Sequence, residues 1–253
     1  MRVAVIYDIH GNLPALEAVL NEIKMTNVDC IIVGGDVIAG PMPTETLSLL
    51  QNVSIPTHFI YGNAESELLR HLAGKKPQGL SERADEATFW TSKQLTKDQK
   101  HFISQWPATY ELTLDGYGKI LFCHATPHSD IVVFTKNTPE RKLVDLFEGQ
   151  NAALVICGHT HMQFDRNIGG LRVVNAGSVG MPFGHTGADW LLIDTEIEFR
   201  HTSYNISKAA KKLIQSNYPH VEDFLTNNVL EPPSETKALE MLSRLEAITA
   251  DKE

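Results

Sequence analysis

In residues 3–12, VAVIYDIHGN, five apolar side chains from Val3 to Tyr7 stop on Asp8 and give way to Ile-His-Gly-Asn. A short unbroken apolar run of this kind reads as a strand buried on both faces. Leu13, Leu16, Val19, Leu20 and Ile23 then recur at helical spacing over residues 13–25, so an amphipathic helix follows the strand at once. The same rhythm repeats downstream. CIIVGGD (30–36) predicts a second strand, TETLSLLQNV (44–53) a second helix and THFIYGN (57–63) a third strand. Alternation of this type predicts β-α-β units around a largely parallel sheet.

Residues 64–106 are helical in pattern and contain no strand signal. Strands return at 109–114 and 119–125 around the turn DGYG, and at 153–159 after a helix over 138–149. LRVVNAGS (171–178) and WLLIDTEIEFRHTSY (190–204) read as paired, more antiparallel strands, and two amphipathic helices flank Pro232-Pro233 in the tail. With no internal repeat or low-complexity linker, one α/β domain is expected over 1–253. It would carry a helical insert at about 64–106 and a C-terminal helical extension from about 206.

The composition narrows the function. A formal charge of −9 argues against stable nucleic-acid binding, which needs basic surface to neutralise phosphates. A small phosphorylated substrate stays compatible, because a bound cation can reverse the local field. Cys30, Cys123 and Cys157 sit in apolar runs, which predicts buried free thiols. No apolar run approaches the roughly 18 to 20 residues of a membrane span and none near the N-terminus matches a secretory leader, so no membrane association and a cytoplasmic location are expected. A homo-oligomer is compatible with the sequence.

The chemistry lies where the strands stop. Apolar runs end on Asp8 with His10, on Asp36, on Asn63, on His124 and on His159 with His161. In open α/β sheets ligands gather at the carboxyl ends of strands. DIH and HTH each place two candidate ligands on one strand face. Mixed carboxylate, imidazole and amide donors suit a borderline divalent ion. Seven such groups exceed one tetrahedral shell and match two metals, which together would clamp the attacking and leaving oxygens of a phosphate ester.

The ordered set D-x-H-G-N, G-G-D, G-N, a lone H and G-H-T-H resembles the calcineurin-like metallophosphoesterases, and NAGSVGMP (175–182) is similar to the N-x-G-S block of their small bacterial and archaeal phosphodiesterase branch. The resemblance covers about residues 1–200. It implies a four-layer α/β/β/α sandwich of two mixed β-sheets flanked by helices. It also implies one metal held by Asp8, His10, Asp36 and His161 and a second by Asp36, Asn63, His124 and His159, with Asp36 bridging. The implied chemistry is phosphoester hydrolysis by a metal-bridging hydroxide. Mn²⁺ is the expected ion, with Fe, Zn, Co or Ni as alternatives.

One position departs from the pattern. The family often reads G-N-H-[DE], whereas this chain reads Gly62-Asn63-Ala64-Glu65. The histidine that stabilises or protonates the leaving oxygen is absent. Three readings follow. Another residue replaces it, with His128, His185 and Glu65 as candidates; or the leaving group needs little protonation; or the chain is a catalytically weak metal-binding scaffold that senses a phosphorylated ligand or partner. Asn12 is equally suited to touching substrate and to capping the first helix.

Overall fold

The structure is a computed structural model that describes residues 1–76 and 81–250, with side chains described to residue 246. Its first half follows the β-α rhythm closely: β1 (Val3–Ile6), α1 (Leu13–Thr26), β2 (Cys30–Val33), α2 (Pro43–Gln51) and β3 (Thr57–Phe59). The insert contains α3 (Asn63–Leu72), α4 (Glu82–Gln94) and α5 (Lys97–Ser104). Thr96 and Gln99 cap α5 reciprocally, a capping box that satisfies two otherwise free N–H groups. Next come β4 (Thr109–Leu114), β5 (Gly118–Cys123), a 3₁₀ turn at Glu140–Lys142, α6 (Val144–Phe147) and β6 (Leu154–Cys157). The helix expected over 138–149 is thus only two short pieces.

Four strands complete the sheets: β7 (Phe164–Ile168), β8 (Leu171–Asn175), β9 (Ala188–Ile193) and β10 (Ile197–Thr202). The tail holds α7 (Ile206–Leu213), α8 (Val221–Phe224) running into a π-helical segment at Leu225–Leu230, and α9 (Glu235–Ala250). One sheet has the order β10-β9-β1-β2-β3 and the other β4-β5-β6-β8-β7. In the first, β1, β2 and β3 are parallel and β9 joins β1 antiparallel. In the second, β5, β6 and β8 are parallel with an antiparallel strand at each edge. The expected pairing of residues 171–178 with 190–204 does not occur: β8 and β9 lie in different sheets, and 188–202 is itself a hairpin.

Alternation along β1 and β2 explains the layering. Ala4, Ile6, Ile31 and Val33 face α1 and α2 together with Leu16, Val19, Ile23 and Leu47. Val3, Val5, Cys30 and Ile32 face the opposite way, into a shared core with Ile120, Phe122, Leu154 and Ile156 of the second sheet. Period-two side-chain direction lets one strand feed both cores. The outer face of the second sheet is closed by Phe134, Leu143 and Phe147, so the architecture is two mixed five-stranded sheets with helices outside. The tail packs back on the body. Leu213, Tyr218 and Phe224 meet Ala87 and Trp90 of α4, while Ala238 and Leu242 of α9 meet Val133 and Met162. All three thiols are free and buried, and among the described residues no helix is long and apolar enough to cross a membrane.

Candidate metal centre

The strand-end side chains converge. Asp8, His10 and His161 form one group whose donor atoms lie within 4.8 Å of one another, and Asp36, His124 and His159 form a second. Asn63 Oδ1 lies 3.2 Å from His124 Nε2, which places it with the second group. The two groups touch: His10 Nε2 is 3.7 Å from Asp36 Oδ2, and His124 Nε2 is 3.8 Å from Asp8 Oδ1. Each group draws ligands from both sheets, since Asp8, His10 and Asp36 follow β1 and β2 while His124, His159 and His161 follow β5 and β6.

Hydrogen bonding at the back of each ring aims the donor at the centre. Nδ1 of His10, His124 and His161 lies 3.1, 2.9 and 3.1 Å from the carbonyls of Ala39, Gly34 and Met181. An Nδ1–H that donates to a carbonyl leaves the Nε2 lone pair free for a metal. His10 Nε2 and His161 Nε2 accordingly face each other at 3.1 Å. Asp8 Oδ2 accepts from the His159 backbone N–H at 2.8 Å. Its other oxygen, and His159 Nε2, are buried without a hydrogen-bond partner among the described residues. Buried orphans of this kind are costly unless something satisfies them. Two in one cluster of seven candidate donors fit a site that binds divalent metal.

The electrostatics agree. Burial alone would raise the Asp8 carboxyl, but the neighbouring His161, His124 and His10 outweigh it and hold it well below the usual range. Burial, aided by His124, pushes His159 down to about 4, so its imidazole is a neutral ligand at ordinary pH. Burial and then His161 likewise lower His10. At His124 burial is overcome by Asp36 and Asp8, and its value rises.

The backbone is folded around these residues at a cost. Among the described residues, seven non-glycine residues have positive φ: Asp8, His10, Asp36, His159 and His161, together with Asn27 and Asn217. The two asparagines sit at the ends of helical segments, where a left-handed residue is ordinary. The other five are all candidate ligands, each costing roughly 1–2 kcal/mol relative to right-handed backbone. Two glycines beside the candidate ligands make room for a side chain. A Cβ on Gly34 would fall 2.0 Å from the Tyr7 ring, and one on Gly158 would fall 2.4 Å from it. Those glycines make room for a tyrosine wedged beneath the ligands. Gly62 instead lets backbone approach the donors, because a Cβ there would lie 2.4 Å from Asp36 Oδ1.

Residues 1–198 match the model of the calcineurin-like phosphoesterase superfamily domain. The chain belongs to that superfamily. It is 29% identical over 241 residues to the uncharacterized protein MJ0912 of Methanocaldococcus jannaschii, covering 86% of this chain and 93% of that one. Among solved structures it resembles the metallophosphoesterase from Sphaerobacter thermophilus, with a TM-score of 0.69, 24% identity and coverage of 89% and 97% of the two chains. It also resembles the hypothetical protein PH1004 from Pyrococcus horikoshii OT3, with a TM-score of 0.78, 16% identity and coverage of 92% and 99%. These two likenesses carry the fold.

Within this phosphoesterase the candidates for the missing histidine are occupied elsewhere. Glu65 is fully buried. Its carboxyl accepts from the backbone N–H groups of Asp36, Val37 and Gly62 at 2.8, 2.9 and 2.9 Å, and more weakly from Ile38 at 3.3 Å. Burial and Asp36 push it up to about 7 against those donors. Glu65 is therefore a brace between the Asp36 loop and α3, and it lines neither cavity over the candidate ligands. His128 is exposed and contacts Gln150 at 3.1 Å. His185 lies 3.0 Å from Asp189, in a third group with His201. Neither histidine lines the two cavities over the ligands. Asn12 caps α1 through Ala15 N–H at 3.3 Å and donates to the Gly180 carbonyl at 2.9 Å, so the capping reading is the one realised.

Those cavities bring in residues that motif reading missed. One, of about 290 Å³, lies between Asp36, Asn63, Ala64 and the insert. The other, of about 520 Å³, runs from His159 and His161 past Phe183 to Phe224, Met241 and Leu242 of the tail. His10, Ala39, Arg83 and Tyr218 line both, and Arg83 pairs with Asp223 of α8. Phe183 stacks on His161 with ring centres 5.7 Å apart. Asn175 and Ser178 of the NAGS block shape the ligand loops: Asn175 donates to the Gly158 carbonyl at 2.6 Å and Ser178 to the Asp8 carbonyl at 2.7 Å. The block was visible in sequence. Arg83 and Tyr218 gave no signal, because each depends on tail and insert meeting.

Proposed function

We propose that the protein is a dinuclear, metal-dependent phosphodiesterase of small phosphorylated or nucleotide substrates, with Asp8, His10, Asp36, Asn63, His124, His159 and His161 as ligands and Mn²⁺ as the ion used in the cytoplasm. The supporting observation is the pair of abutting three-residue donor groups, each with a buried orphan atom, at the floor of two cavities. Two divalent ions held there would supply Lewis-acid charge at the phosphoryl oxygens and lower the pKa of a water. The chain's own residues then divide the work. The seven ligands set the position of the phosphoryl group. Arg83 lines both cavities and offers a guanidinium that can pair with a phosphate oxygen in exchange for Asp223. A diester has two arms, and two cavities that meet at the ligands give each arm a place. Insert and tail wall those cavities, so residues 1–253 work as one unit.

None of His128, His185 and Glu65 lines the cavity beside Ala64, and a site with no histidine at that position favours substrates whose leaving group departs as a stable anion. The test is hydrolysis of a panel of mono- and diesters by Mn²⁺-loaded protein beside Asp36→Ala. The expected result is preferential cleavage of diesters, lost together with metal in the variant. Two bound ions with no turnover on the panel would instead support the scaffold reading. Failure to bind any divalent ion would remove both.

A further inference from the structure

The third donor group lies outside the metal centre and nothing in the proposed reaction uses it. We propose that His185, Asp189 and His201 form a separate, solvent-facing Zn²⁺ site that clamps the loop bearing Met181 and Phe183 against the metal centre.

The donors are already assembled. Asp189 and His201 are direct cross-strand partners in the β9–β10 hairpin, so their side chains share one face of the sheet. His201 Nδ1 lies 2.9 Å from Asp189 Oδ1. His185 comes from the loop before β9 and places Nε2 at 3.0 and 3.1 Å from the two Asp189 oxygens. The three donor atoms lie within 4.8 Å of one another, and the two imidazoles stand edge to face with centroids 4.6 Å apart. Two imidazole nitrogens and a carboxylate make a three-ligand set of the kind zinc takes, with a position left for water. Asp189 is 3% exposed while both histidines are open to solvent, so the anionic donor is fixed and an ion has a path in.

The local backbone is built for the arrangement. Gly187, between the two histidine-bearing segments, has φ +122°, and a Cβ there would fall 2.4 Å from His201 Cε1 and 2.6 Å from its Nε2. Only glycine lets the His201 ring lie where it does.

The site has a consequence for the metal centre through the segment 178–185. Val179 and Gly180 donate to the carbonyls of Tyr7 and Asp8 at 3.0 and 2.9 Å. The Met181 carbonyl orients His161 from behind, and Phe183 stacks on the same ring. One end of the segment therefore sets Asp8 and His161, and His185 anchors the other. An ion joining His185 to Asp189 and His201 ties that end to the sheet by coordination, where hydrogen bonds alone would break and reform.

Equilibrium dialysis of metal-free protein against buffered Zn²⁺ at pH 7.5, with metal counted by mass spectrometry, tests the site. The His185→Gln/His201→Gln double variant is expected to bind one Zn²⁺ fewer than its parent. The same decrement is expected in an Asp36→Ala background, so the difference reads this site whatever the central cluster holds. Equal stoichiometry in a folded variant overturns the proposal; His185→Gln alone, changed only in the loop, serves if the double variant unfolds. Hydrogen exchange at residues 179–183 reads the clamp: Zn²⁺ should slow it in the Asp36→Ala parent and not after both histidines are replaced. Loss of the ion without any change in exchange would leave the site and overturn the clamp.

Discussion

The Tyr7 hydroxyl lies 3.0 Å from the carbonyl of Ile156, joining the end of β1 in one sheet to β6 in the other directly beneath the ligands. The same hydroxyl is 3.1 Å from the Cys123 carbonyl, so its single proton is shared between two strands of the facing sheet. Burial, then Cys123 and Cys157, push the phenol well above its ordinary value, and it remains a donor throughout the working range. Tyr7→Phe should lower stability by about 1 kcal/mol, the net worth of one buried hydrogen bond. Metal stoichiometry should not change. Urea unfolding with and without Mn²⁺ checks both, and a neutral effect on stability would show the contact to be incidental.

Strain at the ligand positions predicts an unusual ranking of variants. At His159, φ is +67°, a conformation glycine adopts freely and alanine does not. In chelator, His159→Gly should therefore be more stable than His159→Ala by about 1 kcal/mol. The order expected at an ordinary helical position is the reverse. Paired denaturation curves decide it.

Chelation should cost stability, because each donor group ties the two sheets together. With free metal at 100 times its dissociation constant, one such ion contributes about 2.7 kcal/mol. The melting temperature should fall on adding chelator and recover with Mn²⁺. A melting curve indifferent to metal would contradict the proposed ligand set.

Ala64 borders the smaller cavity, and its N–H donates to Asp36 Oδ1 at 2.8 Å. Without a histidine at this position, rates across a series of diesters should fall steeply as the leaving group becomes more basic. Ala64→His should flatten that slope and raise turnover of the poorest leaving groups by about 10²-fold, the lower end of what general acid catalysis supplies. A shallow slope in the parent protein would mean that another donor is at work.

The thiols offer a check on the core. Cys123 and Cys157 lie in the apolar interior, and burial raises both; Cys30 is pushed up to about 11 by burial and Asp29. Thiolates are the reactive form, so native protein at pH 8 should resist thiol reagents and release three equivalents only on unfolding.

Much of this was legible in residues 1–76, where each apolar run is bounded by a glycine or a helix start and local periodicity coincides with the fold. The convergence of the seven candidate donors was legible for the same reason: strand ends are marked in the chain. Sheet membership was not. β8 and β9 are both apolar, and nothing in their alternation says that Val174 faces Ile156 while Leu192 faces Ala4. β7 escaped because Asp165, Arg166 and Asn167 fill its centre, an edge strand with little apolar pattern to read. His185 stood out as a histidine near the N-x-G-S block, yet its partner Asp189 is four residues on and His201 on the next strand. Proximity along the chain pointed to the metal centre, whereas the ring hydrogen-bonds to Asp189 on the hairpin.

If the five left-handed candidate donors hold metal as proposed, they also foretell how this fold would decay. Released from its metals, such a chain would gain stability by exchanging Asp8, His10, Asp36, His159 or His161 for glycine, with no disturbance to either sheet. Loss of function would then be written as glycine at those five addresses, beside an intact Tyr7 and an intact pair of glycines around its ring. The wedge would outlast the chemistry it supports, so a retired descendant would be recognised by its scaffold and dated by its ligands.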